Sequence, residues 1–182
     1  MTEGTLSSRV LMESAEIDRT VARLAHQIVE PEDAQGSLVI AGIRRGGEPL
    51  ARRLAARIAA ITGVTPSLGF LNIDLYRDDA RVHGIPESQI PVDVTGRIVV
   101  VVDDVLYTGR TVRAALDAIT DLGRPAAIRL CVLIDRGRRE LPIAADYIGR
   151  FVPSVGGNER VTVAIAPQPS PHDEVRIDAH AP

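Results

Sequence analysis

Residues 99–111 read Val-Val-Val-Val-Asp-Asp-Val-Leu-Tyr-Thr-Gly-Arg-Thr, and this stretch decides the fold. The β-branched run describes a strand too apolar to lie at a sheet edge. Paired carboxylates, Asp103 and Asp104, fall at its carboxyl end, where they can accept hydrogen bonds from vicinal ribose hydroxyls. A Thr/Gly loop follows and opens an amphipathic helix over Thr111–Leu122. Unpaired N–H groups and the positive dipole end of a helix start attract phosphate. Gly109 lets the backbone approach an anion closely, and the hydroxyls of Thr108 and Thr111 add donors. Strand, acidic edge and phosphate cradle follow one another without a gap, so the segment reads as a holder of a phosphorylated sugar.

The same alternation continues outward. Ser14 is placed to cap a helix running to about Glu30, in which Ile17, Val21, Leu24, Ala25 and Ile28 share one face. A short apolar strand is expected at Ser37–Ala41, then an Arg- and Gly-rich loop at Gly42–Gly47. Pro49 opens a second helix with Leu50, Leu54, Ile58 and Ile61 at helical spacing. Further strands are expected at Leu68–Leu75, Arg97–Val102 and Ala127–Ile134. Arg77–Pro91 reads as a mobile loop, and Gly123-Arg124-Pro125 ends the third helix. Strands alternating with helices predict right-handed βαβ units, a parallel central sheet flanked by helices, and a ligand at the carboxyl ends of the strands. Residues 1–166 read as one α/β domain. Residues 167–182 are polar, contain four prolines, and read as a loose tail in which at most Glu174–Ile177 could pair as an edge strand.

Composition sets the remaining bounds. The chain has 182 residues, 45% of them hydrophobic but only 3% aromatic and none Trp, so its core must be aliphatic. With 21 basic and 24 acidic residues the net charge is −3. That lacks the positive excess of a general nucleic-acid binder but leaves room for a local basic patch. Every basic residue is Arg, a chain-wide bias that is no argument for any one site. No apolar run approaches the roughly 18 residues of a membrane span, and Met1–Glu13 lacks a signal pattern, so a cytoplasmic protein is expected. Cys131 lies in the apolar stretch Leu130–Ile134 and reads as a buried small hydrophobe. The histidines at 26, 83, 172 and 180 show no ligand spacing, so no metal site of protein side chains is expected.

Several segments together resemble the PyrR family of type I phosphoribosyltransferases. They are Asp104-Val105-Leu106-Tyr107-Thr108-Gly109-Arg110-Thr111, Leu75-Tyr76-Arg77-Asp78-Asp79, and Asp135-Arg136-Gly137 followed by Arg139-Glu140-Leu141-Pro142-Ile143 and Ala145-Asp146-Tyr147. Leu24-Ala25-His26 and Gly123-Arg124-Pro125 fit as well, and the likeness spans about residues 10–165. It implies the type I phosphoribosyltransferase fold with a small hood. It also implies a uracil phosphoribosyltransferase that makes UMP from uracil and 5-phosphoribosyl 1-pyrophosphate (PRPP), with Mg²⁺ carried mainly by PRPP. The same resemblance implies a regulator that attenuates pyrimidine genes by UMP-dependent binding of leader mRNA, acting as a homodimer or larger homo-oligomer. Carried over position by position, Asp103 and Asp104 would hold the ribose, and Val105 through Thr111 (Leu106, Tyr107, Thr108, Gly109 and Arg110 included) the 5′-phosphate. Arg44, Arg45 and Gly46 would form the pyrophosphate loop, and Arg136, Gly137 and Val161 the uracil pocket. Tyr76, Arg77, Asp78 and Asp79 would belong to a flexible loop that closes over the site. RNA would meet Arg19, Arg23, His26, Arg138 and Arg150.

Departures from the family pattern cluster away from the cradle. The pyrophosphate loop, Gly-Ile-x-Thr-Arg-Gly in relatives, is Gly42-Ile43-Arg44-Arg45-Gly46-Gly47 here, which bears on the catalytic rate. Ala22, Arg138, Ala144 and Phe151 replace residues on the RNA side. Two alternatives follow: a salvage enzyme without RNA binding, and an RNA-binding regulator with lost catalysis. A purine phosphoribosyltransferase fits the Tyr76–Asp79 and Asp135–Asp146 segments less well.

Overall fold

The computed structural model describes residues 8–31, 37–74, 89–153, 156 and 159–179. In chain order the elements are β1 (Ser8–Glu13), α1 (Ser14–Val29), β2 (Leu38–Ile43), α2 (Gly47–Thr62), β3 (Ser67–Leu71) and β4 (Ile98–Leu106). After them come α3 (Arg110–Leu122), β5 (Ala127–Asp135), β6 (Tyr147–Phe151), β7 (Glu159–Ala164) and β8 (Glu174–Ala179). A five-stranded sheet in the order β3-β2-β4-β5-β6 forms the body, and all its pairings are parallel. The expected parallel α/β sheet flanked by helices is therefore present.

The valine run explains how both sides of this sheet are filled. Side chains alternate faces along a strand. Val100 and Val102 join a cluster with Leu24 and Ile28 of α1 and Leu50 and Leu54 of α2. Val99 and Val101 join a second cluster with Val112, Ala115 and Ile119 of α3. Cys131 is fully buried in the first cluster, and burial pushes its thiol up to about 12, so it stays protonated and inert.

The five expected apolar residues of α1 are all buried. Ser14 does not cap that helix: Glu13 holds the cap position, and the Ser14 hydroxyl donates to the Ser170 carbonyl at 2.8 Å. In α2, Leu50, Leu54 and Ile58 are buried, but Ile61 faces solvent. β3 is shorter than the apolar run suggested, and β4 is longer, carrying Asp103 and Asp104 within the strand. Of the expected mobile loop, only Gln89–Pro91 lies among the described residues, and Gln89 exchanges two backbone hydrogen bonds with Phe70.

A second sheet covers one end of the body. It has three antiparallel strands in the order β1-β8-β7, and it is the small hood that the resemblance implied. The expected loose tail is corrected here. Glu174–Ala179 is the middle strand of this sheet, not an edge, and its Val175 and Ile177 are buried in the first core cluster. Pro167, Pro169 and Pro171 lie before it, where the chain turns back. That turn is pinned by the buried Arg53 of α2. Its Nε donates to the Ala166 carbonyl at 2.8 Å and its Nη2 to the Gln168 carbonyl at 2.8 Å, and it forms an ion pair with buried Asp173. Strands β1, β6 and β7 were not expected from the sequence. Among the described residues no helix is long and apolar enough to cross a membrane.

Candidate functional site

A cleft of about 620 Å³ opens at the carboxyl ends of β2 and β4, where a parallel sheet binds ligands. Asp103, Asp104, Arg44, Arg45, Gly46, Val105 and Thr111 line it. The hood contributes Arg160 of β7. Of the residues singled out in the sequence, the cleft thus brings together Arg44, Arg45, Gly46, Asp103, Asp104, Val105 and Thr111, while Leu106–Arg110, Arg136, Gly137 and Val161 are not in its lining.

The two carboxylates differ. Asp103 is buried, and its Oδ1 accepts the Asp104 N–H at 3.0 Å. Burial, and then the neighbouring charge of Asp104, push its carboxyl well above the ordinary range. Asp104 is half-buried, faces the cleft, and accepts the Val105 N–H at 2.8 Å. Asp104 is therefore the carboxylate available to a ligand.

The glycines of the Arg44–Gly47 loop lie close against β4. A Cβ at Gly46 would lie 2.5 Å from Asp104 Oδ1, and one at Gly47 would lie 2.1 Å from the Val102 carbonyl oxygen. A side chain at position 47 would collide with backbone, whereas one at position 46 would require the Asp104 carboxylate to move. Arg45 takes the left-handed conformation, with φ 75°, a strain of about 1–3 kcal/mol for a residue with a Cβ. Arg44 is anchored by its N–H to the Leu71 carbonyl at 2.9 Å, while its Nε is buried without a partner in the fold. An unpaired buried donor beside an open cleft is the condition an anionic ligand would relieve.

The Tyr107–Gly109 loop, expected to hold the 5′-phosphate, follows β4. Leu106 is buried, and Gly109 takes φ 93° at the start of α3, which an L side chain adopts only with strain. The Arg110 N–H reaches Thr108 Oγ1 at 3.4 Å, and the Arg110 guanidinium pairs with Glu140 at 2.7 Å. Beside the loop, Arg136 is buried with its guanidinium 4.1 Å from the centre of the Tyr107 ring. Its Nη2 donates to the Glu159 carbonyl of the hood at 2.9 Å. Arg136 thus joins body to hood close to buried Val161. Gly137 takes φ 71°, and a Cβ there would lie 3.1 Å from the ring of exposed Phe151.

The residues expected to meet RNA are less united. Arg19, Arg23 and His26 are exposed on α1. Arg23 and His26 line one shallow groove, and Arg19 lines another. Arg23 donates to the Gly149 carbonyl at 2.6 Å, and Arg150 to the Leu11 carbonyl at 2.7 Å and to Glu16 at 3.1 Å. Both side chains thus hold β6 in place. Arg138 is exposed. Tyr76, Arg77, Asp78 and Asp79 lie outside the described residues. Among the described residues no group of three or more His, Cys, Asp or Glu side chains converges as metal ligands would.

Sequence reading missed Arg160, Asn72 and Asp74, which also line the cleft. Only the alternation of β7, with Val161 buried and Arg160 exposed, could have marked Arg160 as facing the cleft.

The phosphoribosyl transferase domain family matches residues 11–164. The bifunctional protein PyrR of Pelotomaculum thermopropionicum is 56% identical over 153 residues, covering 82% of this chain and 84% of that protein. The bifunctional protein PyrR of Deinococcus radiodurans is 51% identical over 154 residues, covering 82% and 84%. The chain belongs to the PyrR family. That membership supports the regulator and uracil phosphoribosyltransferase expected from the sequence, with PRPP and nucleotides as its ligand class. Solved structures agree on the fold. A hypoxanthine-guanine phosphoribosyltransferase from Bacillus anthracis matches with a TM-score of 0.62 at 24% identity, covering 82% of this chain and 85% of that one. A hypoxanthine phosphoribosyltransferase from Staphylococcus aureus matches at 0.63 and 23% identity, covering 85% and 84%.

Proposed function

We propose that this cleft binds PRPP, transfers its phosphoribosyl group to uracil, and thereby makes UMP and pyrophosphate. The observation that carries the reading is convergence: an accessible carboxylate, a buried unpaired arginine donor and a glycine-opened helix start face one cleft at the strand ends. In the reaction a uracil ring nitrogen attacks the anomeric carbon. The carbon–oxygen bond to pyrophosphate breaks, a carbon–nitrogen bond forms, and the nitrogen loses its proton. Positive charge grows on the ribose ring and negative charge on the departing group, so catalysis rests on positioning and on fixed charge. Asp104 would hold the ribose hydroxyls and face the growing positive charge. Arg44 and Arg45 would meet the pyrophosphate, and the loop from Tyr107 to Thr111 the 5′-phosphate. Arg136, Gly137 and the backbone near Val161 would frame the uracil.

Phosphoribosyltransferases generally use Mg²⁺ with PRPP. The accessible Asp104 carboxylate suits a hard cation whose other ligands are oxygens of the substrate and water. When bound, Mg²⁺ would neutralise charge on the pyrophosphate. Incubation with PRPP, Mg²⁺ and labelled uracil should yield UMP, and no UMP at high enzyme concentration would overturn the transferase reading.

The regulatory half of the proposal places leader mRNA against Arg23, His26 and Arg138 on a cytoplasmic homo-oligomer, with UMP raising its affinity. One observation favours the salvage-enzyme alternative: Arg23 and Arg150 already spend hydrogen bonds within the fold. Titration of a pyrimidine-leader hairpin, with and without UMP at fixed salt, separates the two. Binding no tighter than to a scrambled hairpin would leave the salvage enzyme.

A further inference from the structure

The phosphate loop is held from behind, and the holder is a residue that the proposed chemistry does not use. Arg139 is about four-fifths buried, with a side-chain exposure of 21%, and all three of its guanidinium nitrogens are engaged. Nη1 donates to the Tyr107 carbonyl at 3.0 Å, Nε to the Ile143 carbonyl at 2.8 Å, and Nη2 pairs with Asp135 Oδ2 at 2.7 Å. The other oxygen of Asp135 accepts the Gly137 N–H at 2.8 Å. The next carbonyl of the loop, that of Thr108, accepts the N–H groups of Glu140 at 2.9 Å and Leu141 at 3.3 Å. Leu141 and Ile143 then pack where a Cβ of Gly109 would be, at 3.4–3.5 Å. Residues 139–143 therefore form a strap along one side of the loop. Val105 and Thr111, at the two ends of the loop, line the cleft.

Peptide geometry turns this into a consequence for binding. The described peptide bonds are all trans, and in a planar trans peptide the carbonyl and the following N–H point in opposite directions. Drawing the Tyr107 carbonyl toward the strap turns the Thr108 N–H away from it. Drawing the Thr108 carbonyl the same way turns the Gly109 N–H away as well. We infer that Arg139 is a positioning residue that, with the strap it begins, turns the backbone N–H of Thr108 directly and that of Gly109 through Glu140 and Leu141 toward the cleft, and so sets affinity for ligands carrying a 5′-phosphate. Through Asp135 and Gly137 the same guanidinium fixes the turn beside Arg136, so phosphate loop and base side share one anchor. The inference rests on the reading of Tyr107–Thr111 as the phosphate loop.

The test compares ligands with and without the 5′-phosphate. Calorimetric titration of wild type, Arg139→Gln and Arg139→Lys uses UMP, ribose 5-phosphate and inorganic pyrophosphate. Displacement of catalytic or binding groups by about 1 Å costs up to 10²-fold, so Arg139→Gln is expected to weaken UMP and ribose 5-phosphate at least tenfold while pyrophosphate changes less than about twofold. Steady-state KM for PRPP should rise with the same factor while kcat stays within about threefold, the pattern of lost uniform binding. Arg139→Lys, which can reach one acceptor but not three, should fall between. Unchanged UMP affinity in Arg139→Gln, or an equal loss for pyrophosphate, would overturn the inference. Should Arg139→Gln fail to fold, judged by its thermal melt, Arg139→Lys decides by the same comparison. A wild-type protein that binds UMP and ribose 5-phosphate but makes no UMP from uracil would end the transferase reading and leave this inference standing.

Discussion

Asp103 and Asp104 are neighbours in the chain but not in environment, and the difference assigns them separate tests. Asp104 faces the cleft, so Asp104→Asn removes the negative charge that would oppose the developing ribose cation. Loss of one such electrostatic group costs about 10²–10³ in rate, and kcat/KM for UMP synthesis should fall by that order while leader-RNA affinity holds. Equal loss of both would mean a folding defect. Asp103 is buried and its carboxyl is raised by burial first and by Asp104 second. A raised carboxyl binds its proton more tightly folded than unfolded. Its stabilising contribution is therefore complete below about pH 4 and is lost as pH rises through the folded value. Asp103→Asn keeps an acceptor for the Asp104 N–H and removes the ionisable group. Its melting temperature should exceed wild type at pH 7 by about 2–4 °C per kcal/mol gained, and the gap should close toward pH 4. A gap that widens on acidification would refute the assignment.

At the scale of elements, the joint between body and hood runs through Arg53 and Asp173. Burial alone would raise the Asp173 carboxyl, but the Arg53 bond and the N–H groups of Ala166 and Ser170 outweigh it and hold it below the ordinary range. This contribution to stability is present above about pH 4 and is lost as pH falls through the folded value. Removing one member of a buried pair costs about 3–5 kcal/mol, so Arg53→Met should lower the urea midpoint strongly at pH 7 and less in acid. A midpoint unchanged at pH 7 would mean that the joint carries no stability. This joint also shows why only part of the fold was legible in the sequence. Helices α1 and α2 and strands β2, β4 and β5 announce themselves through apolar spacing within a single window. The segment 103–111 is contiguous, so its strand, carboxylates and helix start could be read directly. Strands β1 and β8 pair across the length of the chain, as Ser8 with Asp178 shows; β1 buries only Met12, and β8 only Val175 and Ile177. Pro167, Pro169 and Pro171 argued for a loose end although they only precede a strand. Arg139, quoted only as part of a resembling segment, was given no role because its tie to the Tyr107 carbonyl lies 32 residues away, and Arg160 went unremarked because it faces the cleft from the hood.

For the whole molecule, the placement of β8 makes the C-terminal region part of the structural core rather than an appendage. β8 lies between β1 and β7, and its removal would leave both without a partner in that sheet. Val175 and Ile177 pack in the same cluster as Met12, Ile17 and Val21, and each buried aliphatic side chain of this size contributes about 1.5–3 kcal/mol. The Arg53–Asp173 pair would lose its acidic partner in the same cut, leaving a guanidinium buried without its charge. These losses are of the order of the 5–15 kcal/mol that holds a typical domain together. A chain ending at Ala166 should therefore show no cooperative thermal transition by circular dichroism and no UMP binding by calorimetry. The contrast with Arg139→Gln is diagnostic, because that variant should melt cooperatively while losing the 5′-phosphate. A truncated chain that melted cooperatively near the wild-type temperature would show that the parallel sheet and its helices fold without the hood. Body and hood would then be separable units, and Arg53 would serve only to dock one on the other.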